Sequence, residues 1–281
     1  MSRDRSGLSY CAREVREHDH DRYLTVLFLP AAHRETVFAL YAFNAEVART
    51  REAVSEPSVG QIRLQWWREA LDEIYQGGLR EHPVVDGLSQ AVDHYGLDRA
   101  PLDALLDARE CDLDDAPPAD LATLEAYAGA TSGTLSTLAM GVLGFPDGAP
   151  SHAAYLVGTA WALIGLMRAV SFHAQCQRHY LPSDLLQGQG VDQRALFDRK
   201  PSPALNNVVR EVTRRAGNLL AEARNLKGEV PRAARRGLLL AVLADLYLGD
   251  IARAGYNPFA LPVAAPAQPL RLAWTALRGA Y

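Results

Sequence analysis

Cysteine is scarce in this sequence, and neither sign of charge dominates. Cys11, Cys111 and Cys176 are the only three cysteines among 281 residues, and they stand far apart. An odd and sparse set of this kind excludes a disulfide framework and is typical of a reducing compartment. The formal net charge of -4 excludes a chain whose overall field attracts nucleic acid. We therefore expect a cytoplasmic protein without a nucleic-acid partner.

Long apolar runs are also missing. The longest spans 153–167 and is interrupted by Gly158 and Thr159, whereas a membrane-spanning helix needs about 20 apolar residues in succession. We predict a buried helix there instead. Residues 1–6 are polar and lack the apolar centre of a secretory signal. Any membrane contact is therefore expected to be peripheral.

Apolar residues recur at helical spacing through most of the chain. Between Ile62 and Ile74, for example, they fall at steps of three and four residues and form one stripe. Strand-like alternation is hard to find, and no break is long enough for an interdomain linker. The pattern favours an all-α protein with a single helical domain. The predicted helices cover 31–53, 62–74, 84–95, 101–111, 119–143, 153–172, 205–223 and 239–251.

The end of the chain differs from the rest in composition. We place the helical domain at 1–257 and a Pro-rich segment with an amphipathic tail at 258–281. Four prolines between 258 and 269 indicate an extended, semi-rigid segment. One interpretation of the tail is a helix docked on the body, and the other is a helix lying in a membrane interface. On a helix, one face would carry Leu270, Ala273, Trp274 and Leu277, with Arg271 and Arg278 supplying charge.

Five short stretches occur in a fixed order along the chain. They are Leu-Tyr-Ala-Phe at 40–43, Arg-Leu-Gln-Trp-Trp-Arg-Glu-Ala-Leu at 63–71, Tyr-Ala-Gly at 127–129, the segment 158–182, and Gly-Tyr-Asn at 255–257. Together they resemble the squalene/phytoene synthase family over most of residues 20–257. The resemblance implies a helical bundle of the isoprenoid synthase type with a central cavity. It also implies enzymes that join two prenyl diphosphates, with Mg²⁺ held between two aspartate-rich motifs on facing helices.

Both acidic motifs are altered in this chain. The first corresponds to 48–52, which read Ala-Arg-Thr-Arg-Glu, and the second to 169–173, which read Ala-Val-Ser-Phe-His. The resemblance requires six acids, yet Ala48, Arg49, Ala169, Phe172 and His173 replace five, and Glu52 alone remains. Arg49 and Arg51 would repel Mg²⁺. We expect no catalytic residue, no metal and no cofactor. The predicted cavity lining is Tyr41, Phe43, Arg49, Arg51, Glu52, Arg168 and His173.

One branch of this family, the assembly factors of respiratory complex I, likewise lacks the aspartate pairs. Asn44, Ser55-Glu56 and the stretch from Arg109 to Asp115 resemble that branch. The resemblance implies a non-catalytic assembly-type or lipid-binding factor. Its expected partner is a complex I subunit or assembly protein, and its expected ligand is an isoprenoid or an anionic lipid held by arginines. The alternative is a Mg²⁺-dependent prenyltransferase with an atypical site.

Other polar groups have an ordinary and a functional interpretation. The acids at 46, 52 and 56 are expected to form a solvated face with ion pairs to Arg49 and Arg51, and those from Asp107 to Asp115 are expected to be solvated or, alternatively, to bind a metal. His173, Cys176 and His179 have spacing that zinc could use, although a fourth ligand is lacking. His18 and His20 are expected in a hydrated loop. Of the adjacent Trp66 and Trp67, one is predicted to be core and the other to line a pocket.

Overall fold

The computed structural model describes residues 7–54, 56–114, 116–261 and 269–281, and within them it contains helices and no strand. This confirms the predicted all-α class. The α-helices are α1 Tyr10–His18, α2 His20–Val26, α3 Ala31–Ala48, α4 Pro57–Tyr75, α5 Pro83–Tyr95, α6 Arg99–Glu110, α7 Leu121–Ala128, α8 Thr134–Val142, α9 Gly148–Arg168, α10 Val170–Gln175, α11 Ser183–Gly188, α12 Gln193–Phe197, α13 Pro203–Asn225, α14 Leu240–Arg253 and α15 Pro269–Arg278.

The helices begin and end where the local sequence favours it. Proline occupies the first turn of α4, α5 and α13, where its missing N–H is not needed. The Ser202 hydroxyl accepts from the Leu205 N–H at the start of α13, and Gly96 ends α5 in the left-handed conformation. The structure departs from the predicted bounds at several helices. Helix α3 ends at Ala48 and continues as turns, and the stretch predicted as 153–172 is divided at Ala169 into α9 and α10.

Helix α9 runs through the centre of the bundle and joins two groups of buried side chains. The first group comes mainly from α1 to α6 and α8, and the second mainly from α9, α13 and α14. Helix α9 itself buries residues around most of its circumference, including Leu156, Trp161 and Ile164. A helix that is apolar on all sides belongs inside a protein. The apolar run at 153–167 is therefore a buried helix, as predicted.

A π-helical turn at Gly129–Gly133 interrupts the long helix predicted at 119–143 and separates α7 from α8. Here α9 comes so close that small residues are required. A Cβ added at Gly158 would overlap the Ser132 carbonyl and the Ser136 hydroxyl, and one at Gly129 would overlap Tyr155. Ser132 within this turn is buried, and its hydroxyl accepts a hydrogen bond from Arg22. Single π turns of this kind are frequent at functional positions.

The C-terminal helix α15 docks on the body, but with a different face from the one the spacing predicted. Leu272 is fully buried, and the Tyr281 hydroxyl donates to the Ala223 carbonyl at 3.0 Å. Leu270, Trp274 and Leu277 point outward. The segment 262–268, with Pro262 and Pro266, lies outside the described residues, so the extended segment stays a prediction, as does the boundary at 257. Among the helices that the structure describes, none has the length and hydropathy to cross a membrane.

Candidate functional site

The end of α3, where the first acidic motif would stand, presents cationic and unsatisfied polar groups. Arg49 is half-buried and its Nη1 atom has no hydrogen-bond partner, as is true of the buried Thr50 hydroxyl. Burial raises the pKa of Tyr10, and Glu14 and Glu46 raise it further, whereas Arg49 lowers it. Arg49 therefore lies within electrostatic reach of the start of α1. Glu52, the one remaining acid, is exposed.

The buried Glu46 does not belong to the solvated face that the sequence predicted. It pairs with Arg63 of α4 at 2.5 Å, so α3 and α4 are joined by a partly buried ion pair. The expectation of a solvated acid is therefore wrong for Glu46. Its position on α3 explains the burial, because Asn44, Ala45 and Val47 beside it are also buried. A carboxylate at this depth requires a cation, and α4 supplies one.

The end of α9 holds Arg168 against an aromatic ring. The guanidinium carbon of Arg168 lies 3.5 Å from the centroid of the Tyr247 ring. The Tyr247 hydroxyl donates to the Asp21 carboxylate at 2.7 Å, and Trp161 packs beside the same ring. Burial raises the pKa of Asp21, whereas the Tyr247 hydrogen bond lowers it and Arg168 opposes the rise as well. Asp21 of α2, Arg168 of α9 and Tyr247 of α14 therefore form a network that connects these three helices.

Helix α2 contributes a second cation to the same region. Arg22 is buried and donates to Asp19 and to the Ser132 hydroxyl, each at 2.7 Å. Its guanidinium also lies 5.4 Å from the ring of Tyr41. The expectation of a loop around His18 and His20 is wrong, because these residues form the end of α1 and the start of α2. Both histidines are exposed, as predicted, whereas Asp19 and Asp21 beside them bind the interior partners Arg22 and Tyr247.

The segment that follows the second motif, at Arg178 and Tyr180, contacts a buried acid, Asp112. Its carboxylate accepts hydrogen bonds from Tyr127 at 2.7 Å, Tyr180 at 2.8 Å and Arg109 at 3.1 Å. The Arg178 guanidinium donates to the Asp112 backbone carbonyl at 2.8 Å. We call these five residues the Asp112 cluster. The chain reaches it through a sharp turn at Gln177, whose φ is 56°.

His173 packs against the Asp112 cluster and is uncharged at neutral pH. Its ring lies 4.9 Å from that of Tyr180. Burial lowers the pKa of His173 to about 4, and Arg178 lowers it further while Asp112 opposes the change. The residue that replaces the last acid of the second motif is therefore a neutral ring in an aromatic environment. The other two replacements differ in exposure, since Phe172 is exposed and Ala169 is half-buried.

The two candidate metal sites proposed from spacing are not assembled. Asp112 is buried and accepts hydrogen bonds from protein donors, so it is not a solvated acid. Asp107 and Glu110 both pair with Arg68. Asp115 lies outside the described residues. Cys176 is exposed, and His179 packs on Phe197. In the part of the chain that the structure describes, three metal-capable atoms come within 4.8 Å only at Glu14, Glu17 and His18 on α1. This is an acidic helix surface.

The predicted cavity residues have different partners, and their shared lining of one cavity stays a prediction. Phe43 is fully buried and packs edge-on against Trp67 at 5.1 Å, so both rings belong to the core. Tyr41 meets Arg22, Arg168 meets Tyr247, and His173 meets Tyr180. Trp66 lines a surface groove of about 870 Å³ between α4 and α6. The prediction that one tryptophan is core and its neighbour lines a pocket is confirmed.

Whether Mg²⁺ can bind in this interior depends on which oxygen ligands the residues offer. Mg²⁺ prefers several oxygen ligands, carboxylates above all. The six acidic positions of the two motifs offer one carboxylate, Glu52, and it is exposed. The acids further inside already accept from protein donors: Asp19 from Arg22 and Asp21 from Tyr247. The residues present do not fit the metal that the resemblance implies.

Sequence reasoning missed Asp21, Arg22 and Tyr247, which organise the interior. Tyr247 is separated from Asp21 by 226 residues, so no local pattern joins them. The one available signal is the charged run from Glu14 to Arg22 at the start of an otherwise apolar stretch. Asp112 was visible within an acidic stretch, but its burial was not.

The chain matches the family model described as squalene/phytoene synthase over residues 15–278. Among curated proteins, it is 33% identical over 250 residues to NADH dehydrogenase (ubiquinone) complex I, assembly factor 6 from Bos taurus, covering 89% of this chain and 75% of that protein. The human protein of the same name is 32% identical with the same coverage. Presqualene diphosphate synthase of Rhodopseudomonas palustris is 27% identical over 170 residues, 60% of each chain.

Solved structures share the fold. A squalene synthase from Alicyclobacillus acidocaldarius superposes with a TM-score of 0.79 at 22% identity, covering 88% of this chain and 94% of that one. A dehydrosqualene synthase in complex with ligand gives 0.84 at 20% identity, covering 96% and 95%. These similarities establish the helical architecture of the isoprenoid synthases for this chain.

Proposed function

The chain belongs to the squalene/phytoene synthase family, and from this premise we propose that it is a non-catalytic member that assists the assembly of respiratory complex I. The observation that carries the proposal is the replacement of five of the six motif acids by alanine, arginine, phenylalanine and histidine. The relatives that are named complex I assembly factor 6 are 32–33% identical over most of this chain. The proposed partner is a complex I subunit or another assembly protein, and the proposed location is the cytoplasm at the inner membrane surface.

Physical chemistry supports the loss of prenyl transfer. A diphosphate leaving group must be neutralised as the allylic cation forms, and carboxylate-held Mg²⁺ serves this purpose. Arg49 cannot hold a divalent cation, and the neutral His173 offers one nitrogen where the resemblance implies an acid. A family member without these carboxylates keeps its fold, and its surface remains able to bind a partner protein. The proposal therefore assigns the chain a scaffold role and no catalysed reaction.

The deciding experiment is deletion of the gene in its own organism. We expect NADH-dependent ubiquinone reduction to fall, because complex I is incompletely assembled, while squalene, carotenoid and hopanoid contents stay unchanged. Succinate-dependent ubiquinone reduction is the respiratory control and should be unaffected. Complementation with wild-type protein and with Glu52→Gln should restore complex I activity equally, since the remaining acid has no catalytic role.

The competing hypothesis is an atypical prenyltransferase, and the same experiment separates the two. Changed isoprenoid content with normal complex I activity, together with failure of Glu52→Gln to complement, would favour the enzyme. Incubation of purified protein with farnesyl or geranylgeranyl diphosphate and Mg²⁺ tests it directly. We expect no condensation product. Turnover that disappears in Glu52→Gln would overturn the scaffold role.

We further propose an anionic lipid or isoprenoid diphosphate as a ligand of the interior, held by Arg49, Arg51 and Arg168. Its support is the buried Nη1 atom of Arg49, which has no partner within the protein. Arg168 is already stacked on Tyr247, so the α3 end would contribute more of the charge. Native mass spectrometry tests the idea. If the purified protein carries no lipid, and none binds when phosphatidylglycerol or farnesyl diphosphate is added, the ligand proposal is wrong.

A further inference from the structure

The outward side of α15 is apolar, although the helix already docks through its other side. Leu270 is 86% exposed, Leu277 is 83% exposed and Trp274 is 56% exposed. We call these three residues the outer face. Leu272 and the C-terminal Tyr281 attach the helix to the body. A helix docked by one side ordinarily turns polar groups to water, so an apolar outer face indicates a second contact.

The charged side chains on α15 itself have one sign. No aspartate or glutamate follows Asp250 in the sequence, whereas Arg271 and Arg278 lie on α15 itself. The Arg278 guanidinium carbon lies 4.2 Å from the centroid of the Trp274 ring, which keeps the cation at the edge of the apolar surface. Arginine can place its stem along apolar material and its charge among polar groups. The helix therefore combines two leucines and a tryptophan with cations and carries no acid.

A neighbouring segment extends the cationic border. Arg235 donates to the Gly279 carbonyl at 3.1 Å and to the Lys227 carbonyl at 2.9 Å, so it holds the loop before α14 against the end of α15. Lys227, Arg232 and Arg236 on this segment are exposed. Glu229 is the one acid between 226 and 238. The acid that α14 contributes here, Asp245, is paired with Arg224 at 2.6 Å.

We propose that the outer face of α15 binds an anionic lipid surface, with Leu270, Trp274 and Leu277 inserted and the surrounding cations on the headgroups. Charge complementarity selects this occupant, because a membrane with anionic lipids offers apolar depth and negative charge together. Docking of Leu272 and Tyr281 would hold α15 parallel to the surface, so the whole bundle would sit on the membrane. This contact requires no membrane-spanning helix, and it is independent of the proposed role in complex I assembly.

Co-sedimentation of the purified full chain with vesicles tests the proposal. One set contains phosphatidylcholine with phosphatidylglycerol, and the other contains phosphatidylcholine alone. We expect binding to the anionic set and weakening as salt is raised. The variant Leu270→Ser/Trp274→Ser/Leu277→Ser should lose about tenfold or more in binding, since each side chain forfeits its burial in lipid. Its fold should survive because all three residues are exposed, which circular dichroism checks.

A matched control variant replaces three exposed apolar side chains that lie away from α15. Val59, Ile62 and Leu79 are 48%, 69% and 58% exposed on a different part of the molecule, and their triple replacement by serine should leave vesicle binding unchanged. Arg271→Gln/Arg278→Gln should weaken binding to the anionic vesicles alone.

The proposal is overturned if the wild-type chain does not bind vesicles or if the outer-face variant binds equally. It is also overturned if the control loses binding to the same extent, or if the outer face mediates self-association without lipid. Because vesicle binding is measured without complex I, its failure is distinguishable from failure of the assembly role.

Discussion

The ends of α3 and α9 have each lost the acids that the family resemblance implies, but in opposite ways. At the α3 end one acid is replaced by Ala48 and the other by the cation Arg49, whose Nη1 atom is buried without a hydrogen-bond partner. At the α9 end the replacements are neutral, and the adjoining Arg168 is stacked on Tyr247. The α3 end therefore carries a cation with one unsatisfied nitrogen where an acid is expected, whereas the cation at the α9 end is stacked on an aromatic ring.

This difference separates a possible ligand site from a structural one. A buried donor without a partner costs free energy, so its persistence indicates an external partner or an ordered water. Asp112 beside the α9 end has no such deficit, because Tyr127, Tyr180 and Arg109 all donate to its carboxylate. The unpartnered buried atoms there, Nδ1 of His173 and Nε of Arg109, belong to a neutral ring and to a guanidinium that is already paired with Asp112. We therefore expect substitutions near α9 to affect stability and those at the α3 end to affect ligand binding.

The largest effect is expected from Asp112→Asn. The change leaves Arg109 buried beside a neutral amide and removes the charged acceptor of two tyrosines, which should lower the free energy of unfolding by about 3 kcal/mol. Urea unfolding followed by circular dichroism measures it. Asp114→Asn is the matched control, because Asp114 is exposed two residues away and should change stability by less than about 0.5 kcal/mol. Equal effects of the two variants would show that the Asp112 cluster is not a stabilising unit.

The next effect is the pH dependence that His173 imposes. Its pKa is about 4 in the folded protein, against an ordinary value of 6.5, so the unfolded chain binds the proton more readily. The stabilisation is complete above about pH 6.5 and is lost as the pH falls towards 4. We expect the wild type to lose on the order of 2 kcal/mol over this range from His173.

His173→Gln should flatten that part of the profile, as measured by chemical unfolding at a series of pH values. Burial also lowers the pKa of His179, so some slope should remain in the variant, and His179→Gln serves as the comparison. A profile for His173→Gln that follows the wild type throughout would mean that the ring titrates normally in the folded protein.

The smallest effect comes from a matched pair of arginines. Arg49→Met removes a buried unsatisfied donor and should leave stability unchanged or raise it by about 1 kcal/mol. Arg168→Met removes a cation stacked on Tyr247 and should lower it by about 1–2 kcal/mol. Thermal unfolding of both variants gives the comparison. Opposite signs support the distinction between the two helix ends, and a clear loss from Arg49→Met would contradict it.

The helical class, the family and the loss of the acidic motifs can be predicted from the order of residues alone. Helical periodicity is local, and Arg49, Phe172 and His173 are identified by their distance along the chain from the ordered motifs. The adjacency of Trp66 and Trp67 on one helix also predicts that one is core and the other lines a pocket; the structure shows that Trp67 is the core residue.

Which charges meet and which helix faces remain exposed depends on the three-dimensional packing of the helices. Asp21 and Tyr247 are brought together from the two ends of the chain, and Asp112 is buried because distant tyrosines pack over it. The tail carries apolar residues on more than one side, and spacing alone selected Leu270, Trp274 and Leu277 as the docked face. The body buries Leu272 instead, because the surface against which a helix packs, and not its own pattern, selects the face that is covered.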